Sequence, residues 1–531
     1  MNKSRNKPAA LLEINEFKAL CSKEMNHYIS AEPQGDSAAA SNAINQLLCL
    51  VFERIPEAQR VEALAFLFET WHDHSHLIVS NWGRIRPRDY ELVFQFLSAQ
   101  KKYQWRKRPI KTVAIHMRNL YYGGSEADGT AFANWLACIK DEHGIYRFKV
   151  IIITDDLPSE KDRFIEPHIT RCSLPEWDST KVNDIWAEKL VAIFAEYQID
   201  MFIQSMWFMF RHGIWDMILV KTCPIRPAFV QRLGGSFVNI LDLKNNLSDY
   251  YRYPDALIAL AEFNGRIWQT YNARTYLVPN LPNTMPNATM DTTTDYGKNP
   301  SVLWISRLAE KQKQPYEFLH IAKLVNAILP DAHFDIVGGA DDPSYKMKLE
   351  KTALKMGLSE TVTFHGYQTN TGYYYEKASV LLMTSKWEGS PNVLYEAASF
   401  ALPVVMYEIP ELDFNKQFPH RKSFYQYDAK GAADEIVHLL TDETYYNETK
   451  AAMKADFERY ITDGEKCVQS GWHQLVCDLE TAGWPKESYF SADEIQRLMH
   501  SIQCRQTKKP GPAKSRRLRQ RLRTFLSKHF L

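Results

Sequence analysis

Between residues 380 and 405 the chain passes from one apolar run, Val380-Leu-Leu-Met-Thr384, through a loop and a helical pattern to another, Ala401-Leu-Pro-Val-Val405. Strand, loop, helix and strand in that order belong to a doubly wound α/β domain with a parallel sheet, where ligands bind beyond the carboxyl ends of the strands. Comparable runs at Val302-Leu-Trp-Ile-Ser306, Phe334-Asp-Ile-Val-Gly338 and Val362-Thr-Phe-His365 precede it, separated by helical spacing. So sustained an alternation leaves few other folds open.

The connecting segment Trp387-Glu-Gly-Ser-Pro-Asn-Val-Leu-Tyr-Glu396 predicts a helix start with two carboxylates around it. Pro391 suits the first helical position, and Ser390 can cap it. Free amides of the first turn then favour an anion such as a diphosphate. Glu388 falls in the loop feeding that site, and Glu396 lies one turn beyond Asn392 on the same helix face. A carboxylate accepts two hydroxyl donors from a diol. Sugars and riboses are diols, so paired acids beside an anion site suggest a sugar nucleotide.

At 531 residues the chain exceeds a single core and predicts roughly two to four domains. No apolar run approaches the roughly 18 residues of a membrane span. The first residues, Met1-Asn-Lys-Ser-Arg-Asn-Lys-Pro8, lack the apolar core of a secretory signal, so a cytoplasmic location is expected. Eight cysteines without a Cys-x-x-Cys pair argue against structural zinc and a disulfide framework. Charge is uneven: residues 505–531 hold ten Lys or Arg and no acid, leaving 54 basic against 63 acidic residues elsewhere, a net of −9. The body would not draw polyanions by bulk charge, and no basic aromatic platform points to a nucleic-acid partner.

Changes of period divide the chain. Residues 1–106 predict a helical region, with apolar spacing in Leu47-Leu-Cys-Leu-Val-Phe52 and Val61-Glu-Ala-Leu-Ala-Phe-Leu-Phe68. Residues 107–283 predict a first Rossmann-like domain, opening on Thr112-Val-Ala-Ile-His-Met117, the loop Asn119-Leu-Tyr-Tyr-Gly-Gly-Ser125 and a second strand at Phe148-Lys-Val-Ile-Ile-Ile-Thr154. Residues 284–300 read as a linker, 301–465 as a second Rossmann-like domain, 466–504 as closing helices and 505–531 as a basic tail.

Together these features resemble the retaining glycosyltransferases of the GT-B fold, family 4, over roughly residues 110–485. The strongest element is Glu-x7-Glu, met by Glu388 and Glu396. Next is Ser306-Arg-Leu-Ala-Glu-Lys-Gln-Lys-Gln-Pro315; Ile336-Val-Gly-Gly339, Phe364-His-Gly366, Gly123-Gly124 and Val278-Pro-Asn280 are weaker matches. The resemblance implies two Rossmann-like domains facing across a cleft. It implies that Glu396 binds ribose hydroxyls, Glu388 the donor sugar, and Arg307 with Lys313 or Lys311 the diphosphate, Lys313 fitting the family's wording better. Gly389, Asn392 and Val393 would line the donor site, and Gly123 and Gly124 would let the first domain's backbone approach it. Such cations replace the metal of the other main transferase fold, and the chain has no Asp-x-Asp tripeptide; neither metal nor cofactor is expected. His116 and His212 receive no catalytic role. Ala401 stands where the family commonly has glycine, which predicts a slightly different turn.

The expected activity is metal-independent transfer of a hexose-type sugar from a UDP- or GDP-sugar to a growing, lipid-linked or free, bacterial-type surface polysaccharide. A sugar-nucleotide epimerase on the same fold and an inactive scaffold are the alternatives. Removal of Glu388 is expected to abolish transfer with little change in melting. In the tail, Leu518, Leu522, Phe525, Leu526 and Phe530 fall at helical spacing with arginines opposite, so residues 514–531 predict a basic amphipathic helix on an anionic membrane surface.

Overall fold

A computed structural model describes residues 11–31, 37–81, 90–99, 105, 107–121, 123–175, 184–205, 210–235, 247–281, 300–340, 342–410, 412 and 417–481. The linker at 284–299 and the tail therefore lie outside the described residues, as do residues 482–504 of the closing helices.

Two parallel sheets organise the chain. The first runs β3-β2-β1-β4-β5-β6-β7, with β1 Thr112–Met117, β2 Lys149–Thr154, β3 Thr170–Ser173, β4 Met201–Gln204, β5 Ala228–Leu233, β6 Ala256–Ala259 and β7 Thr275–Leu277. The second runs β10-β9-β8-β11-β12-β13, with β8 Ser301–Ile305, β9 His333–Val337, β10 Val362–Gly366, β11 Val380–Met383, β12 Val404–Tyr407 and β13 Lys422–Phe424. Each is the doubly wound, parallel Rossmann-like sheet that the alternation predicts.

Continuous apolar strands arise because both faces of each sheet are covered. In the first sheet Ala114, Ile151, Phe202 and Phe229 enter one core, while Val113, Ile115, Ile152 and Val230 enter the other. Val302, Phe334 and Leu382 divide from Leu303, Val337 and Leu381 in the same way. Each buried Val, Leu or Ile contributes roughly 2 kcal/mol, so a charge on either face of a central strand would break that layer.

Described residues of the N-terminal region are helical, as expected. Helices Ser37–Glu53, Arg60–Thr70 and Ser75–Asn81 continue the first core, which Leu47, Leu64, Trp71 and Ile78 share with the sheet residues Ala114 and Phe202. At the other end a single 39-residue helix, Glu443–Thr481, crosses the division placed at 465/466. Its first half buries Met453, Phe457 and Tyr460 against the second domain. Its second half buries Val468, Trp472, Leu475 and Val476 against the first, and Tyr276 donates to Asp478 across 2.8 Å. One helix thus ties both lobes.

Ala401 adopts the left-handed conformation, φ 53°, that glycine takes without strain. Its turn keeps the backbone geometry that the family's glycine would favour, and the methyl is fully buried.

Candidate active site

Strand order reverses direction between β8 and β11 in the second sheet and between β1 and β4 in the first. At such a switch point neighbouring connections leave to opposite sides and open a crevice beyond the strand ends. Segments carrying the candidate residues start there: Ser306-Arg307 follows β8, Thr384 to Glu388 follow β11, and Asn119 to Gly124 follow β1.

The two segments of the second domain are stitched together through backbone groups. Gln314, held at φ 51°, donates its amide to the Thr384 carbonyl at 2.8 Å. The Thr384 hydroxyl donates to the Lys313 carbonyl at 2.7 Å, and the Lys386 amide to the Gln312 carbonyl at 2.8 Å. This registration brings Lys313 Nζ to 2.5 Å from Glu388 Oε1 and Gln312 Nε2 to 3.3 Å from Oε2. The pair is largely buried, with side-chain exposures of 15% and 7%. Lys311 is exposed. The two sequence candidates therefore differ: Lys313 lies against the first acid of Glu-x7-Glu, and Lys311 does not.

Helix Asn392–Ser399 presents the second acid. Pro391 is its N-cap and not its first helical residue, and it makes no side-chain cap bond. The expected Ser390 cap is also absent, because the Ser390 hydroxyl pairs instead with the Tyr395 hydroxyl at 3.0 Å. The Tyr395 ring stacks on Tyr460 of the long helix at 4.6 Å and is buried. Glu396 accepts from the Tyr375 hydroxyl at 2.7 Å. Burial raises its carboxyl above the ordinary range, and the Tyr375 bond and the charge of Arg163 oppose that rise. Val393, half-buried, packs beside the core of the same domain.

Residues from the first domain meet this helix directly. Asn392 Nδ2 donates to Asp128 Oδ1 at 2.8 Å and to the Gly124 carbonyl at 3.4 Å. Asn280 donates to Asp128 Oδ2 at 2.7 Å and reaches Asn392 Oδ1 at 3.2 Å. Arg232, buried, donates to Asn280 Oδ1 at 2.8 Å. Gly389 backs onto the first domain so closely that an added Cβ would stand 2.2 Å from the Gly234 carbonyl oxygen. Gly123 is constrained by its backbone instead: φ 99° is a conformation that side-chain-bearing residues rarely adopt, while the nearest atom to a Cβ there is the movable Glu126 Oε2 at 2.5 Å.

Arg307 is exposed at the mouth. Burial raises the Glu126 carboxyl, and its backbone hydrogen bond and the charges of Arg163, Arg118 and Arg307 pull it back. Among the described residues no three His, Cys, Asp or Glu side chains gather as metal ligands.

Asp128, Asn280, Arg163 and Arg232 carry no motif and were not singled out by their chemistry in the sequence; only Asn280 lay within a quoted match. Burial pushes the Asp128 carboxyl up to about 7, and Glu396 adds to the rise against Arg232, Asn392 and Arg163. An acid whose folded value is raised binds its proton more tightly in the folded state, so its stabilisation is complete below the unfolded value near 3.8 and is lost as pH rises through 7. Wild-type melting temperature is expected to fall more steeply through that window than that of Asp128→Asn, as scanning calorimetry across pH would show; equal slopes would remove Asp128 as the cause.

His116 sits on β1 between Asp216 and Asp155, each at 3.0 Å. Burial alone would lower its value, but the two carboxylates outweigh it and hold it up at about 10. Both of its ring nitrogens are engaged by carboxylates, which leaves neither open to a substrate. His365 pairs with Asp335 at 2.6 Å, and the side chain of His212 lies outside the described residues.

The model of the family described as Glycosyl transferases group 1 matches residues 299–442. The Vi polysaccharide biosynthesis protein VipC/TviE of Salmonella typhi is 31% identical over 93 residues, 18% of this chain and 16% of that one. An uncharacterized glycosyltransferase of Methanocaldococcus jannaschii is 24% identical over 266 residues, 41% of this chain and 64% of that one. The chain thus spans less than two thirds of either relative. Among solved structures, Anabaena HepE in complex with UDP-glucose matches with a TM-score of 0.52 at 16% identity, over 69% of this chain and 99% of that one. The two-sheet architecture is the GT-B fold.

Proposed function

We propose that this chain, whose residues 299–442 match the group 1 glycosyl transferase family within a GT-B architecture, moves a hexose-type sugar from a nucleoside diphosphate to a growing surface glycan with retention of configuration. The observation that carries the reading is the Lys313–Glu388 pair at the β8/β11 switch point, with Arg307 on the segment that leaves β8 and the first domain's Gly124 carbonyl on Asn392 of the following helix.

A nucleoside diphosphate gains negative charge as the glycosidic bond breaks, so cations aimed at it stabilise the transition state more than the ground state. Arg307 and Lys313 take that part, without a metal on this reading. Glu388 accepts hydroxyls of the departing sugar, and its contact with Lys313 couples sugar orientation to phosphate charge. Glu396, near the first turn of its helix, accepts the ribose diol. Gly389, Asn392 and Val393 shape the floor, while Gly123 and Gly124 admit the donor. His116, fully buried between two carboxylates, stays structural, and no protein nucleophile takes part; leaving phosphate and acceptor hydroxyl meet on one face of the sugar.

UDP- or GDP-sugar is the donor class, supported by the UDP-glucose bound to HepE. The Vi polysaccharide relative supports a polysaccharide acceptor, free or lipid-linked. Residues 514–531 would hold the protein to the inner face of the cytoplasmic membrane; no described helix is long and apolar enough to cross one.

Thermal shift with UDP-, GDP-, CDP- and ADP-sugars tests the donor. The correct donor at about 100 times its Kd is expected to add about 2.7 kcal/mol of stability, and a screen without any shift would count against the reading. Isotope-labelled donor without acceptor should come back unchanged; conversion to its epimer would favour the epimerase alternative.

A further inference from the structure

One cation at the cleft has no assigned task. Arg163 lies in the loop after β2, half-buried, and its backbone amide donates to the Leu120 carbonyl at 3.1 Å. Its guanidinium donates to the Leu120 carbonyl at 3.0 Å and to the Gly123 carbonyl at 3.3 Å. Both bonds go to uncharged oxygens. Among the described residues no carboxylate forms an ion pair with it, the neighbouring Asp162 being taken by Arg171.

The charge of Arg163 nevertheless reaches the centre of the site. It lowers the carboxyls of Glu126 and Asp128 in the first domain and of Glu396 in the second. A guanidinium that braces Gly123, the neighbour of the Gly124 carbonyl that meets Asn392 of the second domain, and that forms no ion pair among the described residues leaves its charge for a ligand. The carbonyls it does hold belong to the loop whose glycines border the cleft. An arginine fork suits that double duty, because two of its donors fix the loop while the charge stays with the ion.

We infer that Arg163 is a positioning residue of the donor site: it fixes the Leu120–Gly123 loop and supplies, from the first domain, a counter-charge to the donor diphosphate that faces Arg307. The inference rests on the reading of the cleft as a nucleotide-sugar site. It places the diphosphate between cations of both lobes.

Calorimetric titration of the full chain with UDP and UMP tests it, or with GDP and GMP if guanosine donors are those that bind. Arg163→Met is expected to weaken UDP binding about 10-fold to 100-fold, the range of a charged hydrogen-bonding group, and UMP binding much less, since UMP lacks the second phosphate. Arg163→Lys, which keeps the charge but not the fork, should recover part of the UDP preference. Equal weakening of both nucleotides would reduce Arg163 to a loop brace and overturn the counter-charge, and unchanged binding of both would overturn the whole inference. Wild-type protein that binds neither diphosphate would overturn the donor-site reading itself. Melting curves of both variants separate loss of binding from loss of fold.

Discussion

Glu388→Gln is expected to lower kcat/KM for sugar transfer about 1000-fold, the loss seen when a preorganised charged group is removed from a reacting centre. The amide keeps the shape and can still accept one hydroxyl, so what is lost is the negative charge that orients the sugar and holds Lys313. Melting should fall as well. From the sequence, Glu388 reads as a loop acid whose removal leaves the melt nearly unchanged; the 2.5 Å contact with Lys313 alters that expectation. Removing one partner of a largely buried pair leaves the other uncompensated, which costs roughly 3 kcal/mol. The double variant Lys313→Met with Glu388→Gln should regain most of the melt and none of the activity. A single variant with both normal activity and a normal melt would take Glu388 out of the site.

The second large effect is expected at Gly389. Its Cβ position stands 2.2 Å from the Gly234 carbonyl oxygen, and backbone on either side leaves nothing flexible to yield. Because Gly389 and Gly234 belong to different lobes, Gly389→Ala is relieved by moving the lobes apart. That motion breaks the Asn392–Asp128 contact at 2.8 Å and withdraws the glycine loop from the helix. Misplacement of about 1 Å at a reacting centre is worth on the order of 100-fold in rate. Transfer should fall at least that far, with small-angle scattering showing a larger radius of gyration and circular dichroism an unchanged helix content. A variant as active as wild type would mean that the observed closeness of the lobes is not the active arrangement.

Much of the fold was legible because the parallel sheets are covered on both faces, so their central strands are written as unbroken apolar runs. Val302–Ile305, Val380–Met383 and Lys149–Thr154 announce themselves in this way. Strand β3, Thr170–Ser173, does not: it is a half-buried edge strand of polar and small residues. Strand β13, Lys422–Phe424, is three residues long and too short to show a period. The long helix hid its role for another reason, since its apolar residues serve two cores in succession and no single stripe marks the passage.

The site was legible where chemistry is local. Glu388 and Glu396 lie eight residues apart on one strand-to-helix connection, and Arg307 follows one strand directly. The Asp128–Asn392–Asn280–Arg232 chain is the opposite case. Its members come from four segments, three of the first domain and one of the second, that only tertiary folding brings together, and each alone is an ordinary polar residue. Helix capping failed for a packing reason: the Ser390 hydroxyl serves the buried Tyr395 before the helix end. The tail and the linker lie outside the described residues, so their readings stand as sequence expectations.

Hydrogen–deuterium exchange of the full chain, with and without a saturating donor chosen by the thermal screen, tests the central claim most directly. The donor is expected to slow exchange in residues 306–314, 387–396 and 120–128 together, because cations, acids and glycine loop close on one molecule. A donor that binds tightly yet leaves 306–314 and 387–396 exchanging as before would contradict the account.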